Sequence, residues 1–385
     1  MRTRPLNCRE APCEAMATVA TARRVLATTA RRAAPRTFAS DAYLGAELET
    51  STLPNGVVVT TTAPGVPLTC VGITVGRGAA HGPRGAALAA SLNAFKTARG
   101  RTDLRIQRDL EVAGSAPYSI FDAHRTVTVC TQNVVTRAAP CVADAFGAAV
   151  LAAGIGRDAL TAWEFEETKA SPFALNALER HASLEDQVAS AAYGKAYQAL
   201  GSAADLQALS STDVDAWLAE DAPITAVGLG MEHASMVSLA QNMLGDLAAR
   251  PITTNKYPAF QAGGVVAISG GAGCAIAVPA PADVALAHVL ATAVGGSVSQ
   301  GLVVVSGADK EACTVQLQAL GDVAAAKAAA ASALLELAPE DLAALVAGGQ
   351  DPSALYAAIL ALEDAAVSKA HAAATAQAPA AAIAT

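Results

Sequence analysis

The chain carries six histidines, His81, His124, His181, His233, His288 and His371. Two imidazoles share a metal readily when they lie four residues apart on one helix face, and no pair here has that spacing. Neither HExxH nor HxxEH is written anywhere. Of seven cysteines, Cys8 and Cys13 fall in the first forty residues. Cys70, Cys130, Cys141, Cys274 and Cys313 remain, an odd and scattered set without a CxxC. They read as reduced, buried fillers rather than zinc or iron–sulfur ligands. The glycine clusters "GGVVAISGGAG" and "AVGGSVSQG" contain no full GxGxxG, and no GK[ST] follows a glycine loop. Gly270, Gly271 and Gly273 read instead as a hairpin turn. No GxSxG elbow occurs, and the carboxylates of "WEFEETK" (163–169) read as a solvated acidic helix face. These residue types predict no cofactor and no metal.

The elements around them are legible from periodicity. The chain is 53% hydrophobic, 4% aromatic and 16% charged, with much alanine, which suits a helix-rich globular protein. No window has the ~18 bulky apolar residues of a membrane span. "TLPNGVVVTTTA" predicts strands about an Asn55-Gly56 turn, and "LTCVGITVG" another strand. Helices are predicted over 84–98 and 103–113, the second ended by Gly114. "YSIF" and "HRTVTVCTQ" are strands. Helices follow near 137–153, 158–180, 184–199 and 211–220, then the strand 224–230 and a helix to about 247. After a polar, proline-bearing stretch the themes return in shorter form. "GGVVAIS", "GCAIAVPA", "LVVVSG" and "CTVQLQAL" are predicted strands, with "ADVALAHVLATAVGG" a helix and three alanine-rich helices running to the end. The expected class is α+β, with two homologous domains at 41–250 and 263–385 joined by a linker at 251–262. Each is an antiparallel sheet covered by helices on one face, and the second is shortened.

The first forty residues differ from the rest. They hold eight arginines against two glutamates, and from Met16 to Ser40 there is no acid. Val19, Ala22, Leu26, Ala30 and Ala33 share one helical face, while Arg24, Arg31 and Arg32 fall on the other. This predicts a mitochondrial transit peptide over 1–40, with "RTFAS" as its processing site and a mature start near Ala39. The whole chain is −8, so the remainder is near −14. An acidic body argues against nucleic acid or anionic lipid as a direct partner.

"STLPNGVVVTT" resembles the opening strand of the pitrilysin-type metallopeptidase family. "AFKTARGRTDLRIQRDLEVAGSAPYSIFDAHRTVTVCTQN" is similar to that family's Phe-Lys run, its helix before a glycine turn and the two strands after it. "SAAYGKAYQALG" and "LSSTDVDAWLAEDAPITAVGLGMEH" resemble two later segments. The likeness spans about 48–300 and fades toward the C-terminus. In active members an HxxEH precedes the Phe-Lys run. Counting back from Phe95, the resemblance places its three working positions at Leu88, Ser91 and Leu92. It places a further glutamate ligand around 169–175, where the chain reads "KASPFAL". Zinc takes nitrogen, oxygen or sulfur donors, which two leucines do not supply.

The resemblance therefore implies a non-catalytic, mitochondrial member on the matrix side of the inner membrane. Such members are of two kinds. One is a structural core subunit of ubiquinol–cytochrome c reductase, alongside cytochrome b, cytochrome c1 and the Rieske protein. The other is the alpha subunit of the mitochondrial processing peptidase. The implied same-fold partner is core protein 1 in the first case and the peptidase beta subunit in the second. The short "AVGGSVSQG" loop and the "DLRIQRDLEVAG" run point toward the first kind.

Overall fold

A computed structural model describes residues 47–62, 68–78, 82–93, 102–121, 126–135, 162–172, 174, 184–194, 203–219, 222–247, 249, 259–268, 273–299, 301–337, 342, 345–346 and 350–384. The transit segment, the helix expected at 137–153, most of the 251–262 linker and Phe95 lie outside them. The described elements confirm an α+β architecture built on two sheets.

The first sheet has six strands in the order β1-β2-β6-β3-β5-β4. They are β1 (Glu49–Thr52), β2 (Val58–Thr62), β3 (Leu68–Val75), β4 (Ala116–Phe121), β5 (Thr126–Val135) and β6 (Ile224–Leu229). Every pairing is antiparallel except β2 with β6. The turn between β1 and β2 is fixed locally. Gly56 takes φ 84°, a left-handed value open to glycine. The Asn55 carboxamide accepts from Val57 N at 3.3 Å and donates to the Leu244 carbonyl at 2.7 Å.

Val59, Val71, Ile73, Ile224 and Ala226 line one face of this sheet. They meet Ile106 and Leu110 of α2 (Asp103–Val112) and Met236, Ala240, Met243 and Leu244 of α7 (His233–Leu244). The Thr102 hydroxyl caps α2 by accepting from Arg105 N, and Gly114 follows it at φ 73°. Of the four apolar residues of α2, Ile106 and Leu110 are buried while Leu104 and Val112 are exposed.

The second sheet has the order β7-β11-β8-β10-β9. Its strands are β7 (Val265–Ile268), β8 (Cys274–Pro279), β9 (Ser297–Ser299), β10 (Leu302–Gly307) and β11 (Ala380–Ala384). Three sequence expectations fail here. The strand predicted within 313–320 is the helix α9 (Lys310–Gln318), started by the Asp309 carboxylate accepting from Ala312 N. The last alanine run ends as a strand, because β11 fills the gap between β7 and β8. It pairs parallel with β7 and antiparallel with β8. The hairpin turn expected at Gly270, Gly271 and Gly273 falls mostly outside the described residues, and β7 and β8 on either side of it are separated by β11.

One face of this sheet carries α8 (Val284–Ala293), α9 and α12 (Asp364–Thr375), packed on Cys274, Ile276, Val278, Val303, Val305 and Ala381. α10 (Val323–Leu335) and α11 (Pro352–Ala361) pack outside α8. The opposite face is covered by α4 (Leu184–Tyr193), a helix from the first half of the chain. Val188, Ala189, Ala191, Ala192 and Tyr193 of α4 meet Ala275, Ala277, Leu302, Val304, Ala380 and Ala382. Alanine on alanine lets the backbones approach closely. Gln261 N donates to the Ala192 carbonyl at 2.6 Å, and Ala381 N to the Gly264 carbonyl at 2.8 Å. A Cβ on Gly264 would stand 2.0 Å from the Ala191 carbonyl oxygen.

Gly264→Ala is therefore expected to destabilise the protein by about 1–3 kcal/mol, the usual range for forced overpacking. Urea denaturation read by far-UV circular dichroism measures the change.

Candidate functional site

The three positions singled out by the sequence lie on α1 (Ala86–Asn93). The chain enters this helix through Gly82 (φ 79°) and Gly85 (φ 84°). A Cβ on Gly82 would stand 2.4 Å from Trp217 Cδ1, so only glycine lets the turn reach that indole. Four alanines in eight residues favour helix, and their small size lets neighbours close in on several sides. α1 packs on β4 and β5, on α3 (Ala162–Ala170) and on α6 (Ser211–Ala219).

Leu88 is 1% exposed. It belongs to one apolar cluster with Phe165, Ala174, Leu206, Leu209, Val214 and Trp217. Leu92 is partly buried against the same cluster, and Ser91 is half-buried with an interaction partner of its own. The arrangement excludes water around Leu88 and offers no lone pair from either leucine. Asn93 ends the helix. Its amide donates to the Ala89 carbonyl at 2.8 Å, while its buried Oδ1 meets no partner.

The region 169–175 holds a residue that sequence reasoning passed over. Lys169 is 2% exposed. Its ammonium donates to the Leu209 carbonyl at 2.7 Å and the Gln207 carbonyl at 3.1 Å, at the C-terminal end of α5 (Ala203–Ala208). It pairs with Glu166 at 2.9 Å and stands 4.9 Å from the centre of the Phe165 ring. Gln207 returns an amide hydrogen bond to the Lys169 carbonyl at 3.2 Å. All three donor directions of the ammonium are used, so the lysine ties α3 to the end of α5. The signal available in the sequence was weak: a lone lysine closing an otherwise acidic "WEFEETK". Glu166 and Glu167 are exposed, as their acidic-face reading requires. Arg77, also buried, donates to the Trp217 carbonyl in the last turn of α6.

The described histidines stand apart from one another. His233 bridges two strands, with Nδ1 2.8 Å from Thr61 Oγ1 and Nε2 2.9 Å from Ser51 Oγ. His371 donates from Nε2 to the Leu317 carbonyl at 2.8 Å. Burial holds His288 below the ordinary imidazole range. His81, His124 and His181 lie outside the described residues. Among the described residues no three His, Cys, Asp or Glu side chains converge on a point that could hold a metal. Cys70, Cys274 and Cys313 are buried thiols, none of them in a disulfide.

No protein-family model matches the sequence, and no curated protein sequence does. A solved structure does match in fold. A protease from Helicobacter pylori superposes with a TM-score of 0.65 over 88% of this chain and 100% of its own, at 11% sequence identity. At that identity the likeness shows a shared peptidase-like fold and nothing of activity.

Four substitutions separate the contributions to this region. Leu88→Ala should cost about 2–5 kcal/mol, the range for a fully buried leucine, and Leu92→Ala clearly less. Lys169→Met strands the Gln207 and Leu209 carbonyls and should cost about 1–3 kcal/mol. Glu166→Gln should be near neutral, because that carboxylate is 62% exposed. Equilibrium urea unfolding of the four variants tests the order.

Proposed function

We propose that this chain is a non-catalytic structural subunit of the pitrilysin-type fold, corresponding to core protein 2 of ubiquinol–cytochrome c reductase. One observation carries the reading. The helix position where the sequence resemblance calls for the first metal ligand is Leu88, sealed in an apolar cluster. A hydrolytic zinc centre works by lowering the pKa of a bound water between nitrogen and oxygen ligands. Leu88 and Leu92 provide neither ligand. At the edge of the expected second ligand region stands Lys169, whose ammonium is committed to two carbonyls and Glu166 and offers a metal no lone pair.

In this reading α1 has kept its place as a packing element. The chain contributes surface and stability to an assembly on the matrix side of the mitochondrial inner membrane. Its same-fold partner is core protein 1, and electron transfer belongs to cytochrome b, cytochrome c1 and the Rieske protein. No described helix is long and apolar enough to cross a membrane, which agrees with a peripheral position. The basic, acid-free opening supports import, with cleavage near Ala39.

Native electrophoresis of detergent-solubilised mitochondria tests the assignment. The chain is expected to migrate with cytochrome b and c1 haem, and its mature form to begin near Ala39. Migration with presequence-cleaving activity and without haem would assign it instead as the alpha subunit of the processing peptidase.

A further inference from the structure

The second sheet contains a feature that the structural role leaves unused. Cys274 opens β8 and Cys313 lies in the middle of α9, and both side chains are fully buried. The Cys313 thiol donates to the Cys274 carbonyl at 3.3 Å across 39 residues of sequence. Both cysteines belong to one buried cluster, and the Cys274 thiol donates to the Ala275 carbonyl at 3.8 Å. The approach depends on Gly307, which sits opposite Cys274 in the β8–β10 register. A Cβ on Gly307 would stand 3.0 Å from Cys313 Sγ. A glycine at that position therefore leaves the space that Cys313 occupies.

We propose that Cys274 and Cys313 are an oxidisable pair that a low-molecular-weight disulfide converts to an internal disulfide, latching α9 to β8. The exchange has two steps. The thiolate of one cysteine attacks a sulfur of the small disulfide, forming a protein–small-molecule mixed disulfide and expelling one small thiolate, which takes up a proton. The second cysteine gives up its proton, and its thiolate attacks the protein sulfur of that mixed bond. The protein S–S bond forms and a second small thiol leaves. The protein loses two electrons and two protons, and the small disulfide becomes two thiols.

Both thiols are protected in the closed fold. Burial raises Cys274 above the ordinary thiol range, and burial together with the neighbouring Cys274 pushes Cys313 to about 11. The thiolate, not the thiol, attacks a disulfide, so exchange waits for α9 to open from the sheet. The pair thus records opening of the second sheet under oxidising conditions. Once joined, it holds β8 and α9 together by restricting the unfolded chain.

The test uses the full, reduced chain and oxidised glutathione. It is run in buffer and again in urea at the unfolding midpoint, followed by dilution. The expected product has lost two hydrogens, and its non-reducing digest contains a peptide pair joined through Cys274 and Cys313. Formation is expected to be much faster in urea, and the joined chain to unfold at higher urea than the untreated one. Cys274→Ser and Cys313→Ser should each abolish the joined pair. Recovery of both cysteines unlinked under both conditions would overturn the proposal. So would linkage of either one to Cys70, or separate glutathione adducts that never resolve.

Discussion

The first half of the fold depends on burying α1 on nearly every side. Five consecutive residues, Ala86 to Ala90, are buried, and Leu88 supplies the bulk that fills the space between α3, α5 and α6. Ligands and bound water at this position would need the volume that the leucine occupies. Polar groups at the rim are handled by two fixed cations. Lys169 satisfies carbonyls at the end of α5, and Arg77 satisfies one near the end of α6. Both place positive charge on helix C-termini, where the backbone dipole favours it.

The second half depends on the first. The sheet β7-β11-β8-β10-β9 has its own helices on one face, but its other face is closed by α4. The contact is built mostly from alanine, so each residue buries little area and the stabilisation comes from close approach along the helix. The Gln261 and Gly264 backbone links hold that approach. Opening at this junction would expose both α4 and the alanine strands.

Much of this was legible in the sequence, and the failures have physical causes. The first sheet follows from alternating valines and threonines and from the Asn55-Gly56 turn, which are local signals. β11 was not legible, because "AAAIA" favours helix and becomes a strand only when a gap between β7 and β8 accepts it. The segment holding Cys313 alternates apolar and polar residues like a strand. The capping carboxylate at Asp309 and the apolar pair Cys313 and Leu317, spaced at i and i+4, decide for helix. At the site, the sequence shows that Leu88 carries no donor atom, while its burial among Phe165, Leu206 and Trp217 comes from helices distant in the chain. The burial of Lys169 was not legible, because its partners are main-chain carbonyls 38 and 40 residues away.

The central claim is that the α1 position holds packing instead of a metal. Elemental analysis of the purified full chain, after dialysis against zinc and then against zinc-free buffer, tests it most directly. The account predicts zinc far below one equivalent, with unfolding unchanged by a chelator. Retention of about one zinc per chain, released by the chelator with loss of stability, would contradict it.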